Sequence, residues 1–378
     1  MTVDLEFSAE QNMLREMVAG ICEQYANLDV VRSLEDDPAG YPDEFWKQLV
    51  DLDLLGLTLP EAFGGSGQSL LEAAVVYEEF GRSLSPSPHF VSCVVSAGVI
   101  ERAGSDDQKA RWLPKIASGE VILTPAWLEP EGGFGAAGIG TRAAETAAGG
   151  FTLSGTKRHV EFAQAADRLV VVARTGDAPT DIDAFLVDPN APGVTLTQQM
   201  TIAADTQFEV TLDGVEVSAD DRVGTAGSGW AAWDATMYDA LVLLAAKAVG
   251  GARHTVDITT QYSLDREQFD KPLGAFQAIA HYLADADTAV EGATVLTREA
   301  AWAASNGRSV ARLAPMAKLF STQTFRDATA MAQQVWGGVG FTVEYDVQLY
   351  FRRAKQLQIG WWDTRFLEEM IASDVLDS

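Results

Sequence analysis

Near its C-terminus the chain reads QIGWWDT, residues 358–364, with one carboxylate, Asp363, behind two tryptophans. A carboxylate held among apolar rings is kept from water, which raises its pKa and suits it to act as a general base. The plainer reading of Trp361, Trp362 and Asp363 is core packing with a polar rim. A second pattern, GFGAAG at 133–138, meets the G-x-G-x-x-G spacing of a dinucleotide loop. That spacing cradles a pyrophosphate only between a strand and a helix of a βαβ unit. Here it follows EPEG and leads into β-rich sequence, so the dinucleotide reading is rejected. His89, His159, His254 and His281 are scattered, and Cys22 and Cys93 sit inside apolar helical patterns. Neither set has metal-ligand, triad or disulfide spacing. There is no P-loop and no nucleophile elbow.

The elements that must position these residues change character twice along the chain. FSAEQNMLREMVAGICEQY carries apolar residues at helical spacing behind Ser8, an N-cap type. FWKQLVDLDLLGL predicts a second helix, Ser69 caps a third over LLEAAVVYEEFG, and VSCVVSAGVIERAG predicts a fourth that stops at Gly104. From about Gly119 the segments become short and rich in Val, Thr and Phe: FTLSG, RLVVVAR, DAFLVD, GVTLTQQ and FEVTL-DG-VEV. Asp213-Gly214 predicts a hairpin turn between FEVTL and VEV. No helices alternate with these strands, so an antiparallel sheet is expected. After GSGW (227–230) helices return to the end, with no internal repeat. The expected division is a helical N-terminal domain (1–118), a β-barrel-like middle domain (119–228) and a helical C-terminal domain (229–378).

Composition narrows the partners. At 378 residues the chain suggests two or three packed units, and a hydrophobic share of 47% fits a globular protein. A net charge of −27 opposes binding to nucleic acid or to an anionic membrane. The start, MTVDLEFSAEQ, lacks the basic and apolar regions of a signal peptide. The longest apolar stretch, 241–250, is interrupted by Lys247 and is too short to span a bilayer. A cytoplasmic protein is expected.

YSLDREQFDKPLGAFQ (262–277) resembles the R-x-Q-F-G-K-P-[IL]-x-x-F-Q motif of the acyl-CoA dehydrogenase flavoproteins, and QVWGGVGF (334–341) resembles their Q-x-x-G-G-x-G-[FY] segment. Weaker likenesses are LGLTLPEAFGGSG, YEEFGRSLSPSP, GGFTLSGTK and AADRLVVVART, so the resemblance covers nearly the whole chain. It implies an α+β chain: a helical N-terminal domain, an antiparallel β middle domain and a C-terminal four-helix bundle, assembled as a tetramer. It also implies FAD, an acyl-CoA thioester oxidised between Cα and Cβ, and an electron-transferring flavoprotein as acceptor. In the family a carboxylate takes the α-proton while the β-hydrogen leaves as hydride to the flavin. The thioester carbonyl must then be polarised and the base held close in a dry pocket.

The cofactor residues the resemblance implies fall into two groups. One reaches across a dimer interface to the neighbour's FAD and is intact. Arg266 matches the arginine that meets the diphosphate, Phe269 and Gln277 the aromatic and amide beside it, and Gln334, Gly337 and Gly338 the glycine segment. Thr364 matches the threonine after the base. The plainer readings are an Arg266 ion pair with Glu267 or Asp270 and a simple helix cap at Gly337-Gly338. The other group grips the chain's own flavin ring and is altered. T-E-P-x-A-G-S-D appears as LEPEGGFG (128–135), so Leu128 replaces a hydroxyl. W-I-T-N appears as HVEF (159–162), so His159 replaces a tryptophan and Glu161 a threonine. These last two could instead pair with each other on a β surface.

The base is also altered. In the I-Y-E-G-T pattern Trp361 falls at the glutamate. In the alternative E-R-x-x-x-A pattern of the first C-terminal helix, Ala240 and Leu241 fall at E-R. Asp363 and Asp239 are the nearest carboxylates, offset by two residues and by one; one residue turns a helical side chain by about 100°. The pattern of loss implies a hetero-oligomer, α2β2, in which this chain completes the flavin site of a homologous partner that supplies the glutamate. Three other readings are a homotetramer using Asp363 or Asp239, a flavin oxidase or monooxygenase on the same fold, and a non-catalytic stabilising subunit.

Overall fold

The computed structural model describes residues 7–376. The start MTVDLE, on which part of the expectation of no signal peptide rests, lies outside them. Helices precede, then follow, a β region. In chain order the elements are α1 (Ala9–Tyr25), α2 (Leu28–Ser33), α3 (Asp43–Asp51), α4 (Leu70–Ser83), α5 (Ala97–Ala103) and α6 (Asp106–Ala117). Strands β1 (Leu123–Ala126), β2 (Arg142–Glu145), β3 (Phe151–Glu161), β4 (Arg168–Arg174), β5 (Ile182–Val187), β6 (Val194–Gln199) and β7 (Gln207–Val217) come next. Then follow α7 (Gly229–Asp265), β8 (Glu267–Gln268), β9 (Lys271–Pro272), α8 (Gln277–Ser305), α9 (Leu313–Trp336), α10 (Val347–Ile359) and α11 (Thr364–Leu376).

The described residues form two compact units, one of residues 32–68 and 86–240, the other of 7–31, 69–85 and 241–376. In the first, the sheet runs β1-β4-β2-β3-β7-β6, with β5 also on β4. Its pairings are antiparallel except that β1 joins β4 in parallel and β2 touches β4 through one parallel pair. β4 has partners on both sides, and its run from Leu169 to Ala173 is wholly buried. Phe151, Leu153, Phe185, Phe208 and Val210 fill the core beneath.

The expected Asp213-Gly214 hairpin does not form. FEVTL and VEV are one strand, β7, paired along β3, with Val215 opposite Leu153 and Leu212 opposite Gly155. Asp213 and Gly214 therefore face Ser154 alone, two residues against one, and Gly214 takes φ +65°. A left-handed glycine in that position is a β-bulge, and the same dipeptide serves a turn only where the flanking strands pair with each other. The helix predicted over FWKQLVDLDLLGL is also shorter, ending at Asp51, with Asp53 at φ +54°. VSCVVS lies in a π-helix, Phe90–Ser96, leading into α5.

In the second unit α4 crosses α7 at backbone contact. A Cβ on Gly81 would lie 1.8 Å from the Lys247 carbonyl oxygen, and one on Gly250 1.8 Å from that of Glu78. Ala248, Ala252, Val256, Val290, Phe325 and Tyr350 form the core. α1 starts with a capping box, Ser8 with Gln11, and α4 with another, Ser69 with Glu72. Arg15 holds the buried Glu78 at 2.7 Å. The apolar stretch 241–250 lies inside a 37-residue helix that is long enough to cross a membrane, but 78% of its apolar window is buried in the protein. Burial, not shortness, accounts for it.

A short hairpin links α7 to α8. Its two central residues, Phe269 and Asp270, have φ +54° and +62°, the twist a two-residue hairpin wants but one that favours glycine. Asp270→Gly is expected to raise stability by about 0.5 kcal/mol, read by urea denaturation, because glycine takes that backbone without strain.

His89 is buried, with Nε2 3.0 Å from the Leu54 carbonyl oxygen. Burial, opposed by that hydrogen bond, pushes its pKa down to about 4. The unfolded chain takes up this proton near pH 6.5, the folded chain only near 4, so its contribution to stability is full above 6.5 and falls toward 4. Wild type should lose up to about 1.4 kcal/mol per pH unit more than His89→Gln across that window, measured by urea titrations. Equal slopes would show that His89 is not responsible.

Candidate functional site

Two stretches far apart in sequence meet at one end of the helical unit. Tyr262, in the last turn of α7, stacks on Trp336, the last residue of α9, with ring centroids 4.0 Å apart and planes at 11°. The Trp336 indole N–H also donates to Thr259 Oγ1 at 3.3 Å. This stack brings the Arg266–Gln277 stretch and the Gln334–Gly338 stretch to the same end. Arg266 follows the end of α7, is exposed, and joins no carboxylate among the described residues. The ion pair with Glu267 or Asp270 is therefore not made. Phe269 stands at the hairpin tip, 86% exposed, its ring edge toward Phe276 at 6.2 Å.

Gln277 opens α8 and Gln334 lies in the last turn of α9, both exposed. Gly337 ends α9 at φ +65°, ψ −141°, a backbone open to little but glycine. A Cβ on Gly337 or Gly338 would meet nothing within 4 Å. The room above this backbone is open, as a bound group approaching it requires. An arginine fork, an aromatic ring, two amides and open backbone are together suited to a diphosphate and its nucleoside.

The QIGWWDT segment joins α10 to α11. Trp361 and Trp362 are both left-handed, at φ +51° and +70°. Such backbone costs about 1–3 kcal/mol per non-glycine residue and persists only where its surroundings enforce it. Behind it lies Lys318 of α9, wholly buried, donating to the carbonyls of Gln358 (3.2 Å), Gly360 (2.9 Å) and Trp362 (2.7 Å). Burial pushes the pKa of this ammonium down to about 7, and the charge of Asp363 works the other way. Asp363 Oδ1 accepts the Phe366 backbone N–H at 2.9 Å, so its carboxylate caps α11. Thr364, the first residue of α11, accepts from Gln358 Nε2 at 3.4 Å. Asp239, in the sheet unit, is held by Arg102 at 2.5 Å. Both candidate carboxylates thus have partners within the fold.

In the sheet unit, groups at the altered positions bond within the unit. The Glu129 carboxylate accepts the N–H groups of Gly140 (3.0 Å) and Thr141 (2.9 Å) and the Lys157 ammonium (2.6 Å). Burial opposes its charge, but Lys157 and Thr141 outweigh it and hold the carboxyl below the usual range. Beside it the Arg158 N–H goes to the Leu128 carbonyl at 2.8 Å, and the Glu161 carbonyl accepts Thr124 Oγ1 at 2.6 Å. His159 is left-handed, φ +53°, with its N–H on Gln199 Oε1 at 2.9 Å and Nδ1 on Gln207 Oε1 at 2.8 Å. The imidazole turns to Gln207 rather than forming the pair with Glu161 that the sequence suggested.

Sequence reasoning missed Tyr262, Trp336, Lys318, Gln199 and Gln207. Only Lys318 left a signal, as the one cation on the buried face of α9 that carries Ala314, Ser321 and Phe325.

Three family descriptions cover the chain: the acyl-CoA dehydrogenase N-terminal domain matches residues 8–120, the middle domain 125–215 and the C-terminal domain 227–374. Among curated relatives, the probable acyl-CoA dehydrogenase YngJ of Bacillus subtilis is 30% identical, over 99% of this chain and 100% of that protein. Among solved structures, a chain of the ChsE4-ChsE5 complex from Mycobacterium tuberculosis superposes with a TM-score of 0.90 at 27% identity, covering 100% of both chains. A chain from a variant of the Tcur3481-Tcur3483 steroid ACAD gives 0.86 at 31% identity, covering 97% of this chain and 98% of that one. The chain belongs to the acyl-CoA dehydrogenase family, whose cofactor is FAD.

Proposed function

We propose that this chain is one subunit of a hetero-oligomeric, α2β2 acyl-CoA dehydrogenase and completes the FAD site of a homologous partner chain that supplies the base. The observation that carries this reading is the contrast between the two halves of the cofactor set. Arg266, Phe269, Gln277, Gln334, Gly337 and Gly338 are exposed and gathered at one end of the helical unit, with Arg266 unpaired among the described residues. Leu128, His159 and Glu161 offer a flavin ring neither a hydroxyl nor, at His159, a spare backbone N–H.

The reaching half fits FAD. Arg266 would meet the diphosphate, Phe269 and Gln277 would flank it, Gln334, Gly337 and Gly338 would receive the cofactor against bare backbone, and Thr364 would add a hydroxyl. When bound, FAD supplies the acceptor for the hydrogen that leaves Cβ as hydride. The ring half of this chain does not fit. An anionic Glu161 beside the ring would oppose the negative charge that reduction places there, so no step is assigned to it. Trp361 stands where the family's glutamate is expected, and Asp363 and Asp239 serve a helix cap and an ion pair. Removal of the α-proton belongs on this reading to the partner's glutamate. The substrate is an acyl-CoA thioester with a bulky acyl group, in keeping with the two-chain steroid enzyme among the relatives. Electrons pass to an electron-transferring flavoprotein.

Flavin counting tests this. The chain alone, refolded with excess FAD and freed of unbound cofactor, should retain well under one FAD per chain; one per chain would overturn the reading. With its partner, about one FAD per pair of chains is expected. Arg266→Ala should weaken FAD retention by the complex about 10–100-fold, the loss expected for a charged hydrogen-bonding pair.

A further inference from the structure

We propose that Lys318 is a positioning residue: its ammonium holds residues 361 and 362 left-handed and so sets the direction of side chain 361 and the point where α11 begins. An ammonium carries three N–H donors and no acceptor. Three carbonyls, of Gln358, Gly360 and Trp362, converge on it from alternate residues. Carbonyls so spaced reach one point only if the chain curls around that point. The curl includes two successive left-handed residues, both tryptophan, a conformation that L residues avoid in succession. The final carbonyls of a helix lack partners within it, and α10 ends at Ile359, inside this stretch. Lys318 is wholly buried, so water does not stand in for its acceptors. A buried cation without acceptors and a strained turn without donors are each unfavourable, and here each supplies what the other lacks. Asp363 adds a charge of opposite sign while capping α11, which fixes Thr364 as the first helical residue.

The consequence for cofactor binding, through Thr364, rests on the reading given under Proposed function; the positioning itself does not. Lys318→Met in the full chain keeps most of the volume and removes all three donors. Hydrogen exchange read by mass spectrometry should quicken at least about tenfold in peptides spanning 356–367, with α8 and the sheet unchanged. The near-UV circular dichroism that Trp361→Phe subtracts from wild type should collapse with it. Unchanged exchange in 356–367, or a uniform rise across the chain, would overturn the proposal, since the second marks a merely stabilising residue.

If Lys318→Met does not fold, the pair Lys318→Gln and Lys318→Gln/Trp361→Gly serves in its place. Glycine takes the left-handed backbone freely, so the double variant should regain protection in 356–367 relative to Lys318→Gln. No regain of protection in the double variant would again overturn it. Local loss of protection with FAD retention by the complex unchanged supports the positioning role and counts against Thr364 as a cofactor contact.

Discussion

The stack of Tyr262 on Trp336 is the constraint on which the candidate cofactor surface depends. α7 and α9 end there, and each continues into a stretch that folds back on itself: a left-handed hairpin after Arg266, and a glycine pair after Trp336. Neither stretch has a core of its own. With ring planes nearly parallel at 4.0 Å, the two aromatic side chains fix helix ends that would otherwise fray. The exposed arginine, phenylalanine and glutamines inherit their mutual placement from that contact.

Much of the architecture is legible in the sequence where the cause is local. Ser8 and Ser69 sit before apolar helical runs with Gln11 and Glu72 three residues on, and both capping boxes form. Strands with continuous buried runs, such as RLVVVAR, stand out because side chains on both faces of the sheet are covered there. What the sequence hides is pairing at a distance. Asp213-Gly214 has turn chemistry, yet whether it makes a turn or a bulge is decided by β3, dozens of residues upstream. The apolar run after Asp51 continues to look helical while its side chains are claimed by the core from an irregular backbone. In the candidate site, the motif residues were visible and their supports were not. Lys318 serves carbonyls, and carbonyls carry no sequence signature.

The two halves of the candidate cofactor set differ in how their polar groups are spent. Around 128–162 the groups nearest the altered positions are taken up within the same unit: Glu129 by Lys157 and two N–H groups, His159 by two glutamines, the Glu161 carbonyl by Thr124. Groups so taken up gain little from a polar ligand, because each new hydrogen bond to them would displace an existing one. At the end of the helical unit the balance is opposite, with bare glycine backbone and a guanidinium that no described carboxylate neutralises. In a chain of net charge −27, a guanidinium so placed offers an anionic ligand a local attraction that the rest of the surface opposes.

The turn between α10 and α11 has an evolutionary implication. It is held from behind, through backbone carbonyls, so its shape places few demands on the side chain at 361. A duplicated gene could therefore exchange a glutamate there for an indole in a few nucleotide changes and leave the scaffold intact. Catalysis and architecture would then diverge at different rates within one chain. A sister subunit could lose its chemistry long before it lost its fold, and be retained for what it presents to its neighbour.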